Sequence, residues 1–142
     1  MKTPAKTVFY TIEKTIKTYR KFSTRNFLNV VDDITVDQKL ILQYLDSYPK
    51  LSQKEIAEMV FKDSASITRM IDLMVNKNFL KRTINKDDRR RFKIELTTKG
   101  KTILSKLEPV IKTNREAAFS GIPEEELEQL NKTLNKILAN IS

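Results

Sequence analysis

The sequence predicts a mainly α fold with a single β-hairpin. Three observations carry that expectation. Apolar residues recur at three- and four-residue steps along most of the chain, the spacing of a buried helical stripe. Two capping-box signatures, Thr35-Val36-Asp37-Gln38 and Ser52-Gln53-Lys54-Glu55, mark helix starts. One pair of segments, around residues 80–84 and 92–96, alternates with period two on either side of a polar turn, as hairpin strands do. At 142 residues the chain is expected to be one domain with a real core. Only two Gly and four Pro argue against a loop-rich chain.

Taken in order, residues from Ala5 to about Val31 place Val8, Phe9, Ile12, Ile16, Tyr19, Phe22, Phe27 and Val30 mostly at helical spacing. This reads as one long amphipathic helix, irregular around Ser23-Thr24. Its stripe is wide enough to be core or a partner surface, and the rest of the chain is too small to cover it. Thr35 then caps a helix carrying Leu40, Ile41, Tyr44 and Leu45, which stops before Pro49. Ser52 caps the next, with Ile56, Met59 and Val60 on one face. Phe61, Lys62 and Asp63 break the pattern.

A further helix starts at Asp63 or Ser64, both good N-cap types. Ile67, Met70, Ile71, Met74 and Val75 form its apolar face. At about 3.6 residues per turn, Ala65, Arg69, Asp72 and Asn76 centre on the opposite face, flanked by Ser66 and Thr68. Small and hydroxyl side chains allow a helix to approach a DNA groove. Ser and Thr can bond phosphates or bases, and Arg can grip a guanine edge with two hydrogen bonds. The helix N-terminus adds free N–H groups and partial positive charge. The competing reading of this face alone is an ordinary solvated surface.

The hairpin shifts the balance toward DNA. Leu80, Arg82 and Ile84 alternate with polar residues, as do Phe92, Ile94 and Leu96, on either side of a tip, Asn85 to Arg91, without Gly or Pro. Arg89, Arg90 and Arg91 project from that tip. A thin basic loop suits a minor groove, where Arg is drawn to the negative potential of narrow A·T segments. Residues 81–101 hold nine Lys or Arg against three acids, the main share of the chain's net charge of +9. Residues 102–142 hold five bases and six acids, so the basic charge is expected in the middle of the chain. That bias suits a polyanionic partner such as double-stranded DNA, the competing reading of a charge run alone being a solvated loop.

After Thr97 another long helix sets Ile103, Leu107, Val110, Ile111 and Phe119 on one side. Pro109 inside it should kink it or break its hydrogen-bond ladder. Gly121 can end it. Pro123 suits the first position of a last helix, whose Glu124, Glu125 and Glu126 match the positive dipole end. Leu127, Leu130, Leu134, Ile137, Leu138 and Ile141 run along that helix as a narrow stripe.

Several function classes are disfavoured. The chain has no Cys and no His, which removes thiol redox switching, the usual general base and the commonest metal ligands. Glu124 to Glu126 match a helix dipole better than they make a metal or acid–base site. Asp87 and Asp88 read as partners of the neighbouring arginines. No catalytic residue, metal site or cofactor is therefore expected, and the protein is not expected to be an enzyme. No apolar run reaches the ~20 residues of a membrane span, and no signal core is visible, so a cytoplasmic, membrane-free location is expected.

The order helix, helix, basic hairpin, followed by Leu96-Thr97-Thr98-Lys99-Gly100, resembles the winged helix-turn-helix core of MarR-type transcription regulators. The pieces that carry it are SQKEIAEMV, the recognition-like helix DSASITRMIDLMVNKNFLKR, Asp88-Arg89-Arg90 and LTTKG. Asn78 stands where that family often has Gly, and Asn tolerates the left-handed backbone needed there. The resemblance spans nearly the whole chain. It implies a single domain over residues 1–142, with a winged helix-turn-helix core at about 35–97 and dimerisation helices at about 5–31 and 98–141. It also implies a homodimer on a pseudopalindromic operator, usually acting as a repressor. Ser64, Ser66, Thr68 and Arg69 are expected in or beside the major groove, with Arg69 reading a base and Ser64 on phosphate. Ser52 and Gln53 are expected to touch the backbone. By resemblance Arg89 enters the minor groove, Asp88 orients it, and Arg90 assists or meets phosphate. Release by a small aromatic effector between the terminal helices and the core is implied too, with Tyr10 and Tyr19 as candidate walls. The alternative class is a winged-helix module that binds protein through the same surface.

Overall fold

The computed structural model describes residues 3–142. Six α-helices and one hairpin follow in the predicted order: α1 (Val8–Phe27), α2 (Val36–Ser47), α3 (Gln53–Met59), α4 (Ser64–Asn76), β1 (Leu80–Ile84), β2 (Phe92–Leu96), α5 (Thr98–Ala118) and α6 (Glu124–Ile141). A short 3-10 turn, Pro4–Lys6, precedes α1. The fold is mainly α with a winged hairpin, as the sequence predicts.

Each helix start has a local cause. Both capping boxes form: Thr35 Oγ1 accepts from the Gln38 N–H and Ser52 Oγ from the Glu55 N–H, each answered by the reciprocal side chain. Asp63 caps α4 by accepting from the Ser66 N–H at 2.7 Å. Thr97 caps α5 by accepting from the Gly100 N–H at 3.0 Å. Helices α3 and α4 end alike. The Lys62 N–H reaches back to the Ala57 carbonyl and the Phe79 N–H to the Met74 carbonyl. Phe61 and Asn78, the residues just before these donors, take φ of 59° and 62°. Both ends are Schellman motifs built without glycine.

Three expectations are corrected in detail. Helix α1 passes without interruption through Ser23 and Thr24, and the Thr24 hydroxyl donates to the Arg20 carbonyl within the helix. It ends at Phe27 rather than near Val31; the Val30 and Val31 N–H groups fold back onto the Phe27 carbonyl, and Asp33 then turns at φ 56°. Pro123 lies one residue before α6 as its N-cap, with ψ 145°, not inside its first turn. Helix α5 continues through Pro109, which is exposed and, having no N–H, leaves the expected gap in the hydrogen-bond ladder.

The core gathers one face from each central element: Phe27, Ile41, Leu42, Ile56, Ile67, Ile71, Met74, Leu80, Ile94 and Leu107 are all essentially buried. The strands pair antiparallel with Leu80 opposite Leu96, Arg82 opposite Ile94 and Ile84 opposite Phe92. Leu80 and Ile94 anchor the hairpin's base, whereas Ile84 and Phe92 near its tip are exposed. The wing thus stands out from the core. Helix α6 contributes no buried residue.

Candidate nucleic-acid interface

Helix α4 buries Ile67, Ile71 and Met74 and leaves Ser64, Ala65, Thr68, Arg69, Asp72 and Asn76 exposed, with Ser66 half-buried. The division follows from helical spacing alone. Hydrogen bonds separate the polar residues on this surface into committed and free. The Ser52 hydroxyl donates to Glu55 Oε1 at 2.9 Å while accepting from the Glu55 N–H, so it is spent on its own cap. Gln53 Nε2 donates to Thr68 Oγ1 at 2.8 Å, and Thr68 in turn donates to the Ser64 carbonyl. This chain stitches α3 to the first turns of α4. Ser66 Oγ accepts a long bond from Arg69 at 3.4 Å. Ser64 has no side-chain partner, and Arg69 no ion pair, among the described residues.

The acids beside this surface are engaged within the fold. Two bonds from Ser66, then the charge of Arg69, hold the Asp63 carboxyl below its ordinary range. Asp72, on the exposed face of α4, pairs with Arg82 of β1 at 2.8 Å. The Arg82 guanidinium also lies 5.6 Å from the Phe92 ring centre, so one side chain braces α4 against both strands. Nothing local in the sequence marks this pair. The two residues are ten apart, and Arg82 reads there as one more base in a basic run.

The hairpin tip explains how a turn without Gly or Pro closes. Asn85 Oδ1 accepts from the Asp87 N–H and Asp88 Oδ1 from the Arg90 N–H, two successive Asx turns. The Asn85 N–H then meets the Arg91 carbonyl at 3.0 Å. The second Asp88 oxygen takes Arg91 Nε at 3.5 Å. Asp88 therefore contacts the Arg91 side chain and the Arg90 backbone, not Arg89. Arg89 and Arg90 are exposed and make no ion pair among the described residues. Further down, Glu95 pairs with Lys93 and Lys81, and those bonds, led by that to Lys93, lower its carboxyl. Of the nine bases at 81–101, Lys81, Arg82, Arg91 and Lys93 are thus paired internally. Among the described residues of α4 and the wing, this leaves unpaired arginines at two places, Arg69 on α4 and Arg89–Arg90 on the tip.

The tyrosines separate. Tyr19 lines a shallow groove of about 530 Å³ between α1 and the end of α5, with Phe22, Lys14, Arg25, Ala117 and Ala118. Its ring centre is 6.4 Å from that of Phe22. Tyr10 and Pro109 do not border this groove. Sequence reading missed a buried polar pair nearby: Asn26 Nδ2 donates to Asn114 Oδ1 at 2.7 Å, tying α1 to α5. A signal existed, because position 114 falls on the apolar face of α5, seven residues after Leu107. Among the described residues no group of three or more Asp or Glu side chains gathers as metal ligands, and no helix is long and apolar enough to cross a membrane.

The model of the MarR family matches residues 34–92, which run from the loop before α2 to the first residue of β2. Solved structures match over nearly the full length. MepR of S. aureus, in a complex with DNA, superposes with a TM-score of 0.87 at 22% identity, covering 99% of this chain and 100% of that one. A mutant MarR of E. coli complexed with operator DNA gives 0.84 at 21% identity, over 92% and 93%. The PcaV transcriptional regulator of Streptomyces coelicolor, in complex with its natural ligand, gives 0.82 at 17% identity, over 100% and 99%.

Proposed function

We propose that this chain, a MarR-type winged helix protein by its core and its whole-length fold, is a transcription regulator that binds double-stranded DNA as a homodimer. The observation that carries the reading is the distribution of free charge. Arg69 on α4 and Arg89–Arg90 on the wing tip are unpaired, while Asp72 and Asp88 between them are held by Arg82 and Arg91. Helix α4 enters the major groove with Arg69 at a base edge and Ser64 at phosphate. Ser66 and Thr68 line its approach. Gln53 meets the backbone beside Thr68, and Ser52 serves as the cap that aims it. Arg89 and Arg90 reach the flanking minor groove. The complexes of MepR and MarR with DNA support this use of the fold.

The terminal helices α1, α5 and α6 form the dimer contact. Helix α6 leaves Leu130, Leu138 and Ile141 more than half exposed, and α1 does the same with Val8, Phe9 and Ile16. A second copy covers such stripes. Two-fold symmetry then asks for a pseudopalindromic operator with half-sites roughly 10 bp apart. Repression follows where that operator overlaps a promoter. A small aromatic acid is the effector the Tyr19 groove suits, with Lys14 and Arg25 to meet its carboxylate; ligand-bound PcaV supports such a role. The reading places the protein in the cytoplasm, without cofactor or turnover. A protein-binding use of α4 would call for apolar anchors, and among its described residues Leu73 is the one large exposed apolar side chain.

The test is a titration of duplex DNA with purified protein across salt concentrations. Steep salt dependence without change in the DNA is expected. Binding that ignores salt would remove the DNA reading.

A further inference from the structure

Asp37 meets two cations brought by two other parts of the fold. Its Oδ1 accepts from Arg20 of α1, and its Oδ2 lies 3.3 Å from Lys62 Nζ. The Asp37 side chain is only 14% exposed, so solvent screens these contacts less than it does the surface pairs. Asp37 itself sits in the first turn of α2, where a carboxylate also matches the helix dipole.

The position of Lys62 gives the contact its reach. Lys62 lies in the four-residue turn between α3 and α4, the two helices of the helix-turn-helix. Its N–H closes the Schellman motif at the end of α3, and the next residue, Asp63, caps α4. Its backbone is therefore fixed to both helices, and a force on its side chain is felt by both. Arg20 lies in the middle of α1, seven residues before the buried Phe27.

We infer that Asp37 is a positioning residue: it clamps the helix-turn-helix joint, through Lys62, to helix α1, through Arg20, and so fixes the direction in which α4 points relative to α1. Where α1 joins two subunits, that direction sets the spacing of the two recognition helices. This last consequence rests on the DNA reading above; the clamp does not. Lys62 is accordingly a structural cation, not one of the phosphate contacts, although it borders α4.

Amide hydrogen exchange on the DNA-free, full-length protein tests the clamp directly. Asp37→Asn, Arg20→Gln and Lys62→Gln are each expected to speed exchange at the Lys62 and Ser66 N–H groups by about tenfold, with α5 unchanged. The Arg20→Gln/Asp37→Asn pair should exchange no faster than Asp37→Asn alone, and Lys62→Arg should restore protection. Unchanged exchange in Asp37→Asn, with a far-UV spectrum like the wild type, would overturn the clamp. Affinity for a selected duplex tests its consequence. Each variant should lose about tenfold with the salt slope unchanged, and a slope flattened by one unit in Lys62→Gln would make that residue a phosphate contact instead. If the wild type binds no duplex, the DNA reading falls and exchange alone still decides the clamp.

Discussion

At the scale of single residues, function depends on which charges remain free after the fold has used its own. The basic run at 81–101 is legible in the sequence, but its division is only partly so, because the partners of Lys81 and Arg82 lie on other elements. Arg82 is held by Asp72 from α4, and Lys81 and Lys93 share Glu95. The Asp88–Arg91 and Lys93–Glu95 pairs are local; the sequence reading gives Asp87 and Asp88 to the neighbouring arginines and, by resemblance, Asp88 to Arg89, whereas Asp88 holds Arg91. The roles of the free arginines separate by experiment. Arg69→Ala should relax specificity at one base position by ~1–3 kcal/mol, whereas Arg89→Ala should weaken every sequence and flatten the salt slope by about one. Competition binding with single-base operator variants, repeated at several salt concentrations, distinguishes the two. Lys39 makes a second prediction. Burial, then the charges of Arg115 and Arg20, lower its amine from 10.5 to about 8. The unfolded chain therefore holds more protons than the native protein between about pH 8 and 10.5, and stability from this group rises with pH through that window. Below it, the cost of keeping a cation there is fully present. Lys39→Met should consequently melt higher than the wild type at pH 7, by a margin that narrows toward pH 10. A constant margin would show that Lys39 does not titrate as described.

At the scale of elements, the sequence is most legible where the cause is local. Both capping boxes, the alternation of each hairpin strand and the left-handed Asn78 follow from residues within a few positions of each other. The end of α1 was misread because the turn after Phe27 depends on backbone bonds and on Asp33, which carry no strong pattern. The LTTKG segment shows a cause that is not local. A Cβ on Gly100 would sit 2.2 Å from the Phe79 carbonyl oxygen, which itself accepts from the Thr97 N–H at 3.1 Å. The first turn of α5 is thus pressed against the start of the wing, and only glycine allows it. Gly100→Ala should destabilise by ~1–3 kcal/mol, measured by urea unfolding; a neutral result would mean that the contact relaxes easily. Phe61 is the opposite case. Its side chain is 92% exposed and its φ is 59°, so it bears left-handed strain with no burial to offset it. Phe61→Gly should raise stability by up to about 1 kcal/mol, the relief of strain being partly cancelled by glycine's freedom in the unfolded chain. A lower melting temperature would show that the ring packs on something in solution.

At the scale of the whole molecule, one expectation changes character. Sequence reading placed the basic charge in the middle of the chain, yet α1 carries five bases against Glu13 alone. Its basic side borders the Tyr19 groove through Lys14 and Arg25, a feature that helical periodicity, which tracks apolar residues, does not register. The helix bundle itself was legible; what covers its ends was not, because a stripe such as Leu130 to Ile141 reads the same whether it packs within the chain or on another copy. Helix α6 buries nothing here. Leu130→Asp with Leu138→Asp should shift the protein toward monomer in sedimentation and weaken operator binding with it. The central claim is that two α4 helices and two wings act together on one symmetric site. Selection of bound fragments from random duplex DNA, followed by footprinting of the winner, tests this most directly. A two-fold pseudopalindrome with half-sites roughly 10 bp apart is expected, protected by wild type and released at its flanks by Arg89→Ala. Recovery of no consensus, or of an asymmetric site whose flanks are indifferent to Arg89, would contradict it.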